Sequence, residues 1–202
     1  MAYTNKARVQ NYLLVTINDS FATQISEWIS AVERFINNYC GREFVQEDDT
    51  EKLYDGDGSN TLIVDDLLTF TKIEILDEDG NVDYTIDSSD EYYLYPVNKT
   101  PKRKITLNSS NASVPRFLKG HQNVKVTGTF GYSVNVPEDV RLVATKLVAG
   151  IIEEKNIDIA GEIKSEKLGE YQVAVQDVSK MANHLDSFAV LDFYRKPGME
   201  AV

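Results

Sequence analysis

From Phe21 to Tyr39, apolar side chains return at every third or fourth position: Phe21, Ile25, Trp28, Ile29, Val32, Phe35, Ile36 and Tyr39. Only an α-helix gathers residues at that spacing onto one stripe, here about five turns long. The segment is therefore an amphipathic helix whose stripe other parts of the chain must cover. Trp28 lies on the stripe and reads as core rather than as a ligand platform. Asn18-Asp19-Ser20 restarts the chain with N-cap chemistry, and Gly41 supplies a stop. A shorter helix precedes it, with Thr4 as the expected cap and Val9, Tyr12 and Leu13 at i, i+3, i+4.

After Phe44 the period changes. Short β-rich runs occur at Thr61–Val64, Thr71–Leu76, Tyr84–Ile86, Tyr92–Tyr95, Ile105–Leu107 and Val124–Phe130. Asp57-Gly58, Asp79-Gly80-Asn81, Asn108 to Asn111 and Gly120 separate them as turn formers. Val124, Val126 and Phe130 alternate with Lys125 and Thr127, as in a half-buried antiparallel strand. Several short strands without an intervening helix imply a small sheet or barrel-like unit.

Helical spacing then resumes in Val140, Val143, Ala144, Leu147, Val148, Ile151 and Ile152. Pro137 suits the first turn, and Glu138 and Asp139 complement the positive end of the helix dipole. Gly150 should weaken this helix by up to ~1 kcal/mol relative to Ala. Tyr171, Val173 and Val175 alternate like a lone strand or arm. A last helix is expected from about Lys180 to Tyr194, ended by Pro197-Gly198. The fold class is thus α+β: a small helical bundle from the N- and C-terminal helices, with an inserted antiparallel β unit. The expected division is 1–44 with 131–202 for the helical core and 45–130 for the insertion.

At 202 residues the chain buries a sizeable core without metal or disulfide staples. Its single cysteine, Cys40, excludes an internal disulfide framework; a buried thiol is expected, with intermolecular pairing as the alternative. MAYTNKARVQ lacks the apolar stretch of a secretory signal, and no apolar run reaches the ~20 residues that cross a bilayer. The reading is a soluble protein made in a cytoplasm, with no membrane partner. A net charge of −11 argues against a general nucleic-acid binder. An acidic surface maintains solubility, and it also suits a wall that DNA passes without sticking.

Catalytic chemistry is thinly represented. The two histidines, His121 and His184, stand near no recognisable nucleophile motif, and H-E-x-x-H, a Walker loop and paired-Cys zinc spacing are absent from the sequence. Carboxylates are plentiful, but a glycosidase-like pair is defined by a separation that sequence does not supply. The run Asp55 to Asn60 (DGDGSN) partly imitates a calcium loop, with Asp66 at the place of the last ligand. Asn60 stands where glycine is usual and flanking helices are lacking, so a turn feeding a strand is the reading. No catalytic residue, metal or cofactor is expected, and the protein is read as a non-enzyme. Lys99–Lys104 (KTPKRK) is the one dense basic run. Lys99, Lys102, Arg103 and Lys104 form either a contact with DNA phosphate or an acidic neighbouring subunit, or a solvated loop whose prolines resist strand pairing.

LLVTINDSFATQISEWISAVERFINNYCGREF resembles the opening of phage head–tail connector (adaptor) proteins, in which a long helix ends in a tyrosine–x–glycine–arginine step. Tyr39, Gly41 and Arg42 stand in those places. GYSVNVPEDVRLVATKLVAGIIEE is similar to the family's next helix, with Gly131-Tyr132 and Val136-Pro137-Glu138-Asp139. SEKLGEYQVAV followed by LDSFAVLDFYRKP is similar to its C-terminal arm and terminal helix. These blocks stand in the family's order and cover about half of the chain. The long β insertion departs from compact members and resembles longer prophage-encoded versions.

The resemblance implies a structural virion protein in the neck of a long-tailed double-stranded DNA phage, assembled in the host cytoplasm. It implies a homo-oligomeric ring of about twelve subunits beneath the portal protein, closed by heterologous contacts. DNA would pass through transiently, and a neck, stopper or tail-completion protein would dock below. Phe188, Leu191, Phe193, Tyr194, Arg195 and Lys196 are the expected portal-binding residues, since aromatic and arginine anchors suit a desolvated interface. A second reading makes the β unit a host-surface or carbohydrate recognition module, with eleven tyrosines available for stacking. A third is a wall-degrading neck enzyme.

Overall fold

The computed structural model describes residues 2–155 and 187–196. They form an α+β protein in two compact units, one drawn from Met1–Arg42 and Val136–Val202, the other Glu43–Asn135.

The helical unit contains α1 (Lys6–Leu13), α2 (Ala22–Cys40), α3 (Glu138–Glu154) and α4 (Ser187–Leu191). The stripe of α2 is buried at Ile25, Trp28, Val32, Phe35, Ile36 and Cys40. Gly41 closes it at φ 64°, the left-handed conformation that glycine adopts at least cost. α3 packs against α1, α2 and α4. All seven positions of its expected stripe are buried, and burial runs unbroken from Leu147 to Ile152. A helix apolar around its circumference belongs at the centre of a bundle.

Two caps differ from expectation. Asn5, not Thr4, caps α1, its side-chain oxygen accepting from the Arg8 N–H at 2.9 Å. Thr4 is buried instead, and its hydroxyl pairs with that of Thr145 on α3 at 2.8 Å. Thr145 donates its own proton to the Arg141 carbonyl at 2.8 Å, so Thr4 donates to Thr145 and both buried hydroxyls are satisfied. Pro137 is the cap of α3 rather than its first residue.

The sheet unit contains β1 (Glu47–Gly56), β2 (Thr61–Leu76), β3 (Val82–Ile86), β4 (Tyr92–Tyr95), β5 (Lys102–Leu107) and β6 (Gly120–Phe130). All pairs are antiparallel, in the order β1-β6-β2-β5-β4, with β3 also on β2. β2 is the hub. Its first half pairs with β5 and its last residues with β3, while Leu67 to Ile75 pair with β6.

The runs 61–64 and 71–76, read as separate strands, are thus one 16-residue strand. Register shifts at Ile63/Leu67, Leu67/Thr69 and Phe70/Lys72 break its alternation. β1 was not expected at all. Its acidic start fills an edge, where charge is tolerated and discourages stray pairing.

The core joins Leu67, Ile73 and Ile75 of β2 to Ile105, Val124, Val126 and Phe130, with Phe117 folded over from a loop. On the other face Lys72 and Lys125 reach Glu74 at 2.7 and 2.8 Å. Hydrogen bonds from Lys125 and then Lys72 hold the Glu74 carboxyl below its ordinary range.

Buried Glu91 organises the loop beyond β5. One carboxyl oxygen accepts from the Ser113 N–H and hydroxyl at 2.9 and 2.8 Å, the other from the Ser88 N–H at 3.3 Å. The Ser113 bonds lower its pKa below the ordinary 4.5. A depressed carboxylate adds stability that is complete above the unfolded value and is lost as pH falls through the folded one. Glu91→Gln is expected to cost about 1 kcal/mol at pH 7 and less as pH falls below the ordinary glutamate range. Urea unfolding at pH 7 and pH 3 measures the difference.

Candidate functional site at the C-terminal turn

α4 runs directly into a 3-10 turn, Asp192–Tyr194, and Arg195 then becomes extended. Three residues per turn send three consecutive side chains in three directions. Asp192 meets α2: the Tyr39 hydroxyl donates to its Oδ1 at 2.6 Å. Tyr194 meets α3: its hydroxyl donates to the Asp139 carboxylate at 2.8 and 2.7 Å. Phe193 points outward and is 89% exposed.

The last turn of α2 forms the seat. The ring of Tyr39 lies 4.6 Å from that of Phe188, and the Arg195 guanidinium stands 5.3 Å over it. Arg195 also approaches Asp192 at 3.9 Å. The Lys196 N–H donates to the Cys40 carbonyl at 3.0 Å, and the Cys40 thiol to the Leu191 carbonyl at 3.6 Å. Burial, and then the Asp192 carboxylate, pushes the Tyr39 hydroxyl up to about 12, so it stays a donor at neutral pH. Burial likewise lifts the Cys40 thiol to about 12, which makes it a packing group rather than a nucleophile.

The six residues expected at a portal contact therefore divide by environment. Leu191 is fully buried and Phe188 is half-buried on Tyr39, so both hold the turn in place. Phe193 is presented to solvent; Tyr194, Arg195 and Lys196 are half-buried around it. Of the residues that position them, Tyr39 was read from the sequence as the last member of the helical stripe and as a motif residue, and Asp139 as a dipole complement and a motif residue. A tyrosine in the last turn of one helix and a carboxylate in the first turn of another were the available signal. The expected helix over 180–194 is helical at Ser187–Leu191. Its start, the arm at 171–175, His184 and Pro197-Gly198 lie outside the described residues.

Tyr194→Phe removes the bond to Asp139 and keeps the ring. Hydrogen exchange of the amides in 187–196 is expected to speed up about fivefold, the equivalent of ~1 kcal/mol. Mass-spectrometric exchange on the folded protein measures it.

The side chains of the basic run divide between local contacts and solvent. Lys102 Nζ donates inward to the Pro96 and Val97 carbonyls at 2.7 and 2.8 Å, and Lys104 Nζ sits 4.5 Å over the Tyr95 ring. Lys99 and Arg103 are exposed. Asp55 and Gly56 end β1, and Asp57 to Asn60 form the turn between β1 and β2. Asp57 accepts from the Ser59 N–H at 2.8 Å, and Asp55 accepts from the Gln122 N–H at 2.6 Å, with His121 Nδ1 at 3.3 Å. Asp66 belongs to β2. Among the described residues no group of three His, Cys, Asp or Glu could hold a metal ion, and no helix is long and apolar enough to cross a membrane.

No family model matches the chain, and no curated protein matches it. Among solved structures it is similar to a chain in the neck of an empty gene transfer agent particle computed with C6 symmetry. The TM-score is 0.48 at 12% sequence identity, covering 90% of this chain and 82% of that one.

Proposed function

We propose that the chain is a structural head–tail connector: copies form a ring beneath the portal of a long-tailed double-stranded DNA phage and pass DNA to the tail. One observation carries the reading. Three sequence blocks that resemble this family, far apart in the chain, meet in one cluster. Tyr39 from the first block holds Asp192, and Asp139 from the second holds Tyr194. The third block is thereby fixed with Phe193 outward, beside Arg195. An exposed aromatic on a rigid turn with an arginine neighbour is the composition of an interface anchor.

In this reading the helical unit is the connector core, Glu43–Asn135 is an insertion in it, and Phe193, Tyr194, Arg195 and Lys196 face the portal. A neck or stopper protein binds the opposite end of the ring. The acidic balance lets phosphates slide past without being held. The role needs neither catalysis nor a cofactor.

Co-sedimentation with DNA-filled, tailless heads from the matching phage tests this. Saturable binding by the full chain, lost in a chain ending before Lys180, is the expected result. Binding by both chains refutes the docking surface, and binding by neither to heads with verified portal refutes the connector role.

A further inference from the structure

One row of the sheet carries opposite charges at its two ends, acidic at the start of β1 and basic where the β4–β5 turn enters β5. Glu47 of β1 pairs with Phe130 of β6, Phe130 with Leu67 of β2, and Leu67 with Lys102 of β5. At the β1 end of this row Glu47, Asp48 and Asp49 are all exposed. At the other end Lys99 is exposed in the β4–β5 turn and Arg103 at the start of β5, with Val97 66% exposed between β4 and the lysine. Among the described residues β1 pairs only with β6 and β4 only with β5, so both are open edges, as is β3, which pairs only with β2. The ion pairs among the described residues involve none of Glu47, Asp49, Lys99 or Arg103. The basic turn is also stiff, because Lys102 clamps two of its carbonyls.

We propose that these edges are the two halves of a head-to-tail contact between copies of this chain, the acidic start of β1 docking on the basic β4–β5 turn of the next copy. Like edges repel, so charge selects edge-to-opposite-edge contact and disfavours a two-fold dimer. A contact that joins different patches repeats around an axis and closes into a ring when its rotation allows. The inference deepens the connector reading by naming what holds neighbouring copies together. It gives the basic run a protein partner rather than DNA.

Charge reversal on the full chain tests it. One variant carries Glu47→Lys, Asp48→Lys and Asp49→Lys; the other carries Lys99→Glu and Arg103→Glu. All five positions are exposed, and circular dichroism verifies folding. By sedimentation velocity up to about millimolar concentration, self-association of either variant alone should weaken at least about tenfold. Mixed equally, they should recover association, since each reversed edge then meets its complement. Wild-type association should weaken as salt rises. A wild type that stays monomeric, single variants that associate normally, or a mixture that fails to recover each overturns the proposal. Head co-sedimentation separates the two readings. Association by these edges without head binding removes the connector role alone; head binding by single variants that associate normally removes this contact alone.

Discussion

Gly128→Ala is expected to destabilise the sheet unit by about 3 kcal/mol, at the upper end for overpacking by one methyl group. Gly128 lies in the middle of β6, opposite Phe70 of β2 and Thr50 of β1. A Cβ there would stand 2.2 Å from the Thr69 carbonyl oxygen and 2.8 Å from Leu67 Cδ1. The oxygen belongs to backbone that register shifts at Leu67/Thr69 and Phe70/Lys72 press towards β6. No rotamer change relieves that contact; β2 itself must move, and β2 bonds to three other strands. Gly80 is the control. Its Cβ would meet nothing within 4 Å, but its φ is +83°. Gly80→Ala should therefore cost only the left-handed penalty, about 1 kcal/mol. Urea midpoints compare the two, and a Gly128→Ala loss no larger than that of Gly80→Ala would mean that β2 yields.

Phe193→Ala is expected to weaken binding to tailless heads about 30-fold or more while leaving the melting temperature unchanged. The first half follows from the size of interface hot spots, ~2 kcal/mol or more for a buried aromatic anchor. The second follows from its 89% exposure, which leaves little packing to lose. Phe188→Ala should behave in the opposite way. Its ring packs on Tyr39 at 4.6 Å and on Phe35 at 6.0 Å, so its loss lowers stability and releases the whole turn. Thermal melts and head titrations on both variants separate anchoring from support. If Phe193→Ala binds as well as the wild type, the turn is not the docking surface.

What the sequence disclosed depends on whether one local rule decided the outcome. α2 and α3 were legible because their apolar periods survive into burial at Ile25, Trp28 and Val32, and at Val140, Val143 and Leu147. β6 was legible by its alternation. β1 was not, because Glu47-Asp48-Asp49 has low strand propensity and is strand only through its pairing with β6. β2 was read in two pieces because Asp65-Asp66 interrupts it and its bulges reset the alternation. Thr4 and Asn5 are both good caps, and only the hydroxyl of Thr145, far along the chain, decides between them. The C-terminal turn was half legible. Its residues were named, but what separates Phe193 from Leu191 is the contact with Tyr39, Cys40 and Asp139, which sequence spacing does not encode.

The connector role is tested most directly by electron cryomicroscopy of DNA-filled tailless heads saturated with the protein. The account predicts a closed ring of added density at the portal vertex, coaxial with the DNA exit channel, its portal-facing side fitted by the turn that carries Phe193. Density scattered over the capsid, or none at a vertex where the portal is visible, would contradict it.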